Sequence, residues 1–422
     1  MRRSRCSEKL DAIENGNRSQ KRIEKEPNQS TPKMATIAAP APSTSSSLSS
    51  SSVLVLADDR DVLGEGPVHD PRVGKLYRVD IEGKKVLSIE LKETAGGEGG
   101  EKEKEGGKAS PSPSVVVGET PEAVGCLALT SDPKTLLVAL SRSVYSLNAV
   151  TGELSDAPLA TLDEREGVEG LRFNDGKVSP KGAFVIGRLH SKWRDGEKGA
   201  VYCLRKEKSD SSWSLERVLG PEEVGMGNGM AWRKKREGEN EKEGEKNGDE
   251  KDEELFDFFI VDSAAKTVQR FQTDKSTAVP ISGTGEIVLD ASDFQNNVPD
   301  GMEIDSSGKL WVALAETGTV VRFDPEAKSK GLPLSRLATL RLPLTRVTSC
   351  AFGVREGGGA EGEGGEDFSS TLFVTSREEA SKLKEEASPV AGSVLIVSDV
   401  AGAARMKEKV GAGCAVAAVV EL

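Results

Sequence analysis

Apolar residues along this chain fall in short runs of strand length, and no stretch keeps a helical period. Such runs stand at Val53–Ala57, L-Y-R-V-D-I (76–81), T-L-L-V-A-L (135–140), V-Y-S-L (144–147), L-W-V-A-L (310–314), T-L-F-V-T (371–375) and S-V-L-I-V (393–397). Clusters rich in Gly, Pro, Asp and Ser separate them, as turns between strands require. One stretch, V-P-D-G-M-E-I-D-S-S-G-K-L-W-V-A (298–313), shows the repeating unit most clearly. It reads as a constrained Pro-Asp-Gly turn carrying Asp300, a short strand from Met302, a turn over 305–308 and a buried strand from Leu310.

The unit recurs. An oxygen-bearing side chain meets Gly ahead of a strand at Glu65-Gly66, at Asn174-Asp175-Gly176 and at Asn228-Gly229. Glu65, Asn174, Asn228 and Asp300 follow one another at intervals of 109, 54 and 72 positions. The last interval contains a Lys/Glu-rich insert, 234–254, and is 51 positions without it; the first is about two such periods. The same spacing reaches Gly125-Cys126 and Thr348-Ser349-Cys350. A period near 50 with several short strands in each is the mark of a β-propeller. Six such positions predict an all-β, six-bladed propeller. Equivalent points of the blades face the central channel, so Glu65, Asn174, Asn228 and Asp300 are predicted to converge on its axis.

Composition narrows the domain plan. Residues 1–52 mix charged, Ala/Pro and Ser-run segments and read as a disordered N-terminal region, with Met34 an alternative start to Met1. The propeller is expected over 53–422, with low-complexity inserts near 94–113, 234–254 and 355–367. Its closing strand is expected from Val53–Ala57 or from 416–420. No run of about 18 apolar residues and no signal-like apolar segment occurs, so neither a membrane span nor secretion is expected. The net charge is −12, and no basic, aromatic cluster points to nucleic acid. The five cysteines form no C-x-x-C pair, which fits a reducing, cytoplasmic setting. With two histidines, His69 and His190, a three-His metal site within one chain is excluded. Both are expected on loops or at a pocket rim.

The motifs L-G-E-G-P (63–67), R-F-N-D-G-K-V-S-P-K-G (172–182), G-N-G-M-A-W (227–232), V-D-S (261–263), the stretch 298–313 and V-T-S-C-A-F-G (347–353) occur in the order found in the regucalcin, or sugar-lactone lactonase, family. The chain resembles that family over about 53–397, inserts excepted. The resemblance implies one divalent cation on the axis, held by Glu65, Asn228 and Asp300. It places Arg172 and Asn174 against the substrate, a small lactone or related ester, and makes Asp300 the base that activates the attacking water. Asp262 is either a turn cap or a residue behind the metal ligands. A Glu/Asn/Asp set offers only oxygen, which suits a hard cation, Ca²⁺ foremost, with Mg²⁺, Mn²⁺ or Zn²⁺ as alternatives. A calcium-binding regulatory protein without turnover is the competing expectation on the same scaffold. The chain departs from the family at His69, often aromatic, at Arg78, often aromatic or apolar, at Gly187-Arg188-Leu189, where G-T-M is common, and near Lys192, where an acidic residue helps bind sugars in animal members. These positions bear on substrate choice rather than on the metal set.

Overall fold

In a computed structural model, the protein is described over residues 53–91, 113–163, 169–206, 212–235, 254–332, 335–344, 346–353, 371–378 and 391–397. The expected N-terminal region 1–52, the candidate closing segment 416–420, the insert near 355–367 and nearly all of those near 94–113 and 234–254 lie outside the described residues.

Among the described residues, twenty-four strands, β1–β24 in chain order, form six four-stranded antiparallel sheets. Five sheets use four consecutive strands each, running from the innermost to the outermost. Their innermost strands are β2 (Gly64–Asp70), β6 (Val124–Leu129), β10 (Leu171–Val178), β14 (Gly227–Lys234) and β18 (Val298–Ile304). The sixth combines β22 (Val347–Phe352), β23 (Leu372–Ser376) and β24 (Val394–Val397) with β1 (Val53–Ala57) as its outer strand. Neighbouring innermost strands touch around a closed circuit, β2–β6–β10–β14–β18–β22–β2. The protein is a six-bladed β-propeller.

Of the two candidate closing segments, Val53–Ala57 does the work. Val53 pairs with Val397 and Leu54 with Ile396, which ties the first described strand to the last. A ring closed by such pairing leaves no blade edge free to slip.

The core is divided among the blade interfaces. Six buried clusters each join residues of two adjacent blades; one brings Phe173, Phe184 and Tyr202 against Cys126, Leu137 and Ala139. A blade is thus covered on both faces. This explains why a strand such as β7 (Thr135–Leu140) reads as a continuous apolar run rather than an alternating one.

All six innermost strands carry a break in register at the same place: between Glu65 and Val68, Val124 and Cys126, Phe173 and Gly176, Gly227 and Met230, Pro299 and Met302, and Val347 and Cys350. A bulge bends its strand and re-aims the side chains within it. Asn174, Asn228 and Asp300 lie inside these bulges, and Glu65 at the edge of one. This corrects the reading of Asp300 as a residue on a turn ahead of a strand. β18 begins at Val298, and Asp300-Gly301 is its bulge.

Gly301 has a different reason from the one expected. It does not adopt positive φ. A Cβ there would stand 2.1 Å from Ser349 Oγ and 2.6 Å from Ser349 Cα in the next blade. Glycine is needed because two bulges press together near the axis. Among the described residues no helix is long and apolar enough to cross a membrane.

Candidate metal centre

The bulges bring Asn228 and Asp300 into contact. The Asn228 amide nitrogen donates to Asp300 Oδ1 at 2.5 Å and to Ser263 Oγ at 3.1 Å. Ser263 in turn donates to the carbonyl of Pro299 at 2.7 Å. One hydroxyl therefore ties the amide of Asn228 to the peptide that carries Asp300. In the next bulge along the ring, Asn174 donates to the carbonyl of Gly227 at 3.3 Å. Arg172 donates through Nη1 to Asn174 Oδ1 and to the carbonyl of Phe173, both at 2.9 Å.

Three carboxyl groups share this space. Burial pushes Asp300 up to about 7, and the charge of Asp175 adds to the rise; the hydrogen bond from Asn228 and the charges of Arg377 and Arg172 oppose it. Glu65 is held well above the usual carboxylate range, first by burial and then by the charges of Asp300 and Asp175. The Gly66 N–H bonds the Glu65 carboxyl and opposes the rise, and Gly66 has the left-handed φ of +54°. Asp175 stands at about 6, raised by burial and opposed by the Gly176 N–H, which it accepts at 2.7 Å, and by Lys177.

Two oxygens at the centre are orphaned. Glu65 Oε2 and Asn228 Oδ1 are buried and accept no hydrogen bond. A buried polar atom left unpaired is costly, so this orphaned pair beside the Asp300 carboxylate calls for a ligand. Two carboxylates that resist joint ionisation and an amide oxygen without a donor fit an oxygen-seeking divalent cation.

The sequence carries a family match in these same segments. Residues 63–238 and 246–359, more than half of the chain, match the profile described as the SMP-30/Gluconolactonase/LRE-like region. The chain belongs to that family. Regucalcin of Gallus gallus is 27% identical over 333 residues, covering 78% of this chain and 88% of that protein. Among solved structures, a luciferin-regenerating enzyme superposes with a TM-score of 0.61 at 20% identity, covering 88% of this chain and 99% of that one. A calcium-binding protein, regucalcin, from Agrobacterium tumefaciens gives 0.58 at 22% identity, covering 83% and 94%. These two likenesses are of fold.

Within this member of the SMP-30/gluconolactonase family, the matched region contains Glu65, Arg172, Asn174, Asn228, Asp262 and Asp300. Of these, Asn228 bonds Asp300, Arg172 bonds Asn174, and Glu65 feels the charge of Asp300. Asp262, at the end of β15 (Phe256–Asp262), stands one step back. It accepts the N–H groups of Gly225, Met226, Ala264 and Ala265. It is a turn cap, and it steadies the backbone leading into the Asn228 bulge.

The residues missed by sequence reasoning are Ser263 and Asp175. Ser263 is the last letter of V-D-S, and only the fold shows that its hydroxyl faces Asn228. Asp175 was masked by the N-D-G turn reading.

The two histidines stand in strands rather than on loops, which corrects that part of the expectation, and His69 lines a cavity as the rim reading has it. His69 lies within β2 and His190 ends β11 (Phe184–His190); both are buried. His69 packs against Phe373, and the Lys192 N–H donates to His190 Nδ1 at 3.1 Å. An imidazole has enough apolar surface to fill a blade interface once its nitrogens are served.

Proposed function

We propose that this protein is a divalent-cation-dependent hydrolase that opens a lactone or a related ester. The reading is supported by the hydrogen bond from Asn228 to Asp300, the charge of Asp300 felt by buried Glu65, and the orphaned oxygens Glu65 Oε2 and Asn228 Oδ1. Glu65, Asn228 and Asp300 would hold the cation. When bound, a divalent cation supplies Lewis acidity and charge stabilisation at a carbonyl oxygen. The calcium-binding description of the Agrobacterium structure favours Ca²⁺.

The chain's own groups divide the remaining work. Asp300 takes the proton of the attacking water, directly or through an oriented second water, and so acts as general base. Asn228 and Ser263 keep its carboxylate in place. Asn174 and Arg172, joined by their hydrogen bond, present amide and guanidinium donors to the substrate's oxygens. The buried thiols of Cys126, Cys203 and Cys350 are free, which supports a reducing, cytoplasmic setting.

The test is a lactone panel run with and without chelator. Activity is expected to vanish on chelation, return with Ca²⁺, and fall at least 100-fold in Asp300→Ala. Activity indifferent to both changes would refute the reading. The name of the regucalcin relatives supports a second one, a calcium-binding protein without turnover. It predicts cation binding with no lactone opened by the loaded protein.

A further inference from the structure

The mouth above the candidate centre carries a charge arrangement that the metal set does not use. Arg172 is the second residue of β10. Arg377 directly follows Ser376, whose partner is Val347 at the start of β22. Glu82 lies two residues past Asp80, whose partner is Gly64 at the start of β2. All three side chains therefore belong to the end of the ring where the bulges lie. β10 belongs to the third blade and β23 to the sixth, so the two arginines approach from opposite sides of the channel.

Arg377 is anchored but not committed. Its backbone N–H donates to the Arg346 carbonyl at 3.1 Å, and the next N–H, of Glu378, to the Asp61 carbonyl at 2.9 Å. Its Nε is buried and makes no hydrogen bond, while the side chain as a whole is 37% exposed. Its approach to Glu82 Oε1 is 3.9 Å, beyond hydrogen-bond reach. Glu82 is itself 53% exposed and faces Arg377; its charge also acts on Arg172, opposing the burial that lowers that guanidinium's pKa. A carboxylate thus stands near Arg377 without a close bond to it, and its charge also reaches Arg172. The charges of both arginines also reach Asp300 at the floor.

We propose that the substrate of this site bears an acid group of its own, carboxylate or phosphate, which Arg377 reads at the mouth in place of Glu82. The proposal rests on the hydrolase reading above and narrows it. Guanidinium presents paired donors matched to carboxylate and phosphate oxygens. A floor bearing Glu65, Asp175 and Asp300 repels a negative substrate unless cationic groups at the entrance offset it.

The experiment compares δ-gluconolactone, its 6-carboxylate counterpart and its 6-phosphate ester on the Ca²⁺-loaded full chain. The acidic lactones are expected to exceed the neutral one at least tenfold in kcat/KM, with the steeper loss on added salt. Arg377→Met is expected to cut that acidic-to-neutral ratio about tenfold, Arg377→Lys to restore part of it, and Glu82→Gln to raise it. Whichever acidic lactone loses more in Arg377→Met identifies the group read. A neutral lactone turned over as well as the acidic ones, or a ratio unmoved by Arg377→Met, overturns the proposal. If no lactone is opened at all, the hydrolase reading fails separately. Calorimetric binding of the open-chain dicarboxylate sugar acid and of inorganic phosphate then decides. Binding weakened about tenfold in Arg377→Met sustains anion recognition, and equal or absent binding in both proteins ends it.

Discussion

The amide of Asn228 donates to the carboxylate of Asp300 at 2.5 Å, although 72 positions of chain separate the two. Each sits in the bulge of an innermost strand of its own blade, and the two blades are neighbours in the ring. Asn228 Oδ1 is left buried and without a donor. Several consequences are measurable.

Ser263 should govern the affinity of the centre without contributing much to the fold. Its hydroxyl accepts from Asn228 and donates to the Pro299 carbonyl, so Ser263→Ala frees both. Groups behind metal ligands commonly account for about 10–100-fold in affinity. We expect Ca²⁺ to bind that much more weakly to Ser263→Ala, while the urea midpoint moves by no more than a single hydrogen bond is worth, about 1 kcal/mol. Unchanged calcium affinity would remove Ser263 from the account.

Without cation, the centre should be a source of instability. Glu65 and Asp300 are like charges taken out of water together. Asp300→Asn is therefore expected to raise the stability of chelator-treated protein by about 1–3 kcal/mol. In the wild type, calcium at 100 times its dissociation constant should add about 2.7 kcal/mol, and in Asp300→Asn most of that gain should be missing. Thermal melts of both proteins in EDTA and in calcium check both halves. A variant that melts lower in EDTA would contradict the first.

Gly301→Ala should be severe. The new methyl would meet Ser349 Cα at 2.6 Å, and backbone cannot step aside as a flexible side chain can. Overpacking of this kind costs about 1–3 kcal/mol, and here it also displaces Asp300. Chemical denaturation should show the loss, and calcium binding should weaken in the same variant. Native stability in Gly301→Ala would mean that the blades do not approach as closely as described.

Much of this arrangement is legible in the sequence. A bulge facing the axis needs an unusual pair of residues, and G-E-G, N-D-G, G-N-G and P-D-G supply them at a spacing near 50. The continuous apolar runs likewise announce strands covered on both faces. Other features have no local signal. Gly301 and Ser349 depend on how two blades meet, and nothing near Ser263 in sequence points to Asn228. Arg377 follows an interrupted part of the repeat, where counting periods no longer locates a position. The histidines misled because a polar residue in a short strand looks exposed until the neighbouring blade is in place.

Protonation of His69 offers a check on that burial. Burial lowers its pKa to about 4, against the pull of Asp70. An unfolded histidine takes up its proton near pH 6.5. Between those values the unfolded chain binds more protons, so this contribution is fully present above about pH 6.5 and is lost as pH falls through 4. The loss is on the order of 3 kcal/mol. Asp61, raised to about 6 by burial, acts in the opposite sense from pH 6 downward, so the wild-type profile alone conceals both. Stability of wild type relative to His69→Phe should therefore fall by roughly that amount between pH 7 and pH 4. Parallel profiles would show that His69 is not buried as a neutral ring.

If Glu65, Asn228 and Asp300 surround one cation, each of the three must govern its affinity. Calorimetric titration of chelator-stripped protein with Ca²⁺ should show one site per chain in the wild type, and a loss of at least about 100-fold in affinity in each of Glu65→Gln, Asn228→Ala and Asp300→Asn. Wild-type affinity and stoichiometry retained in all three variants would rule out a cation held by this set.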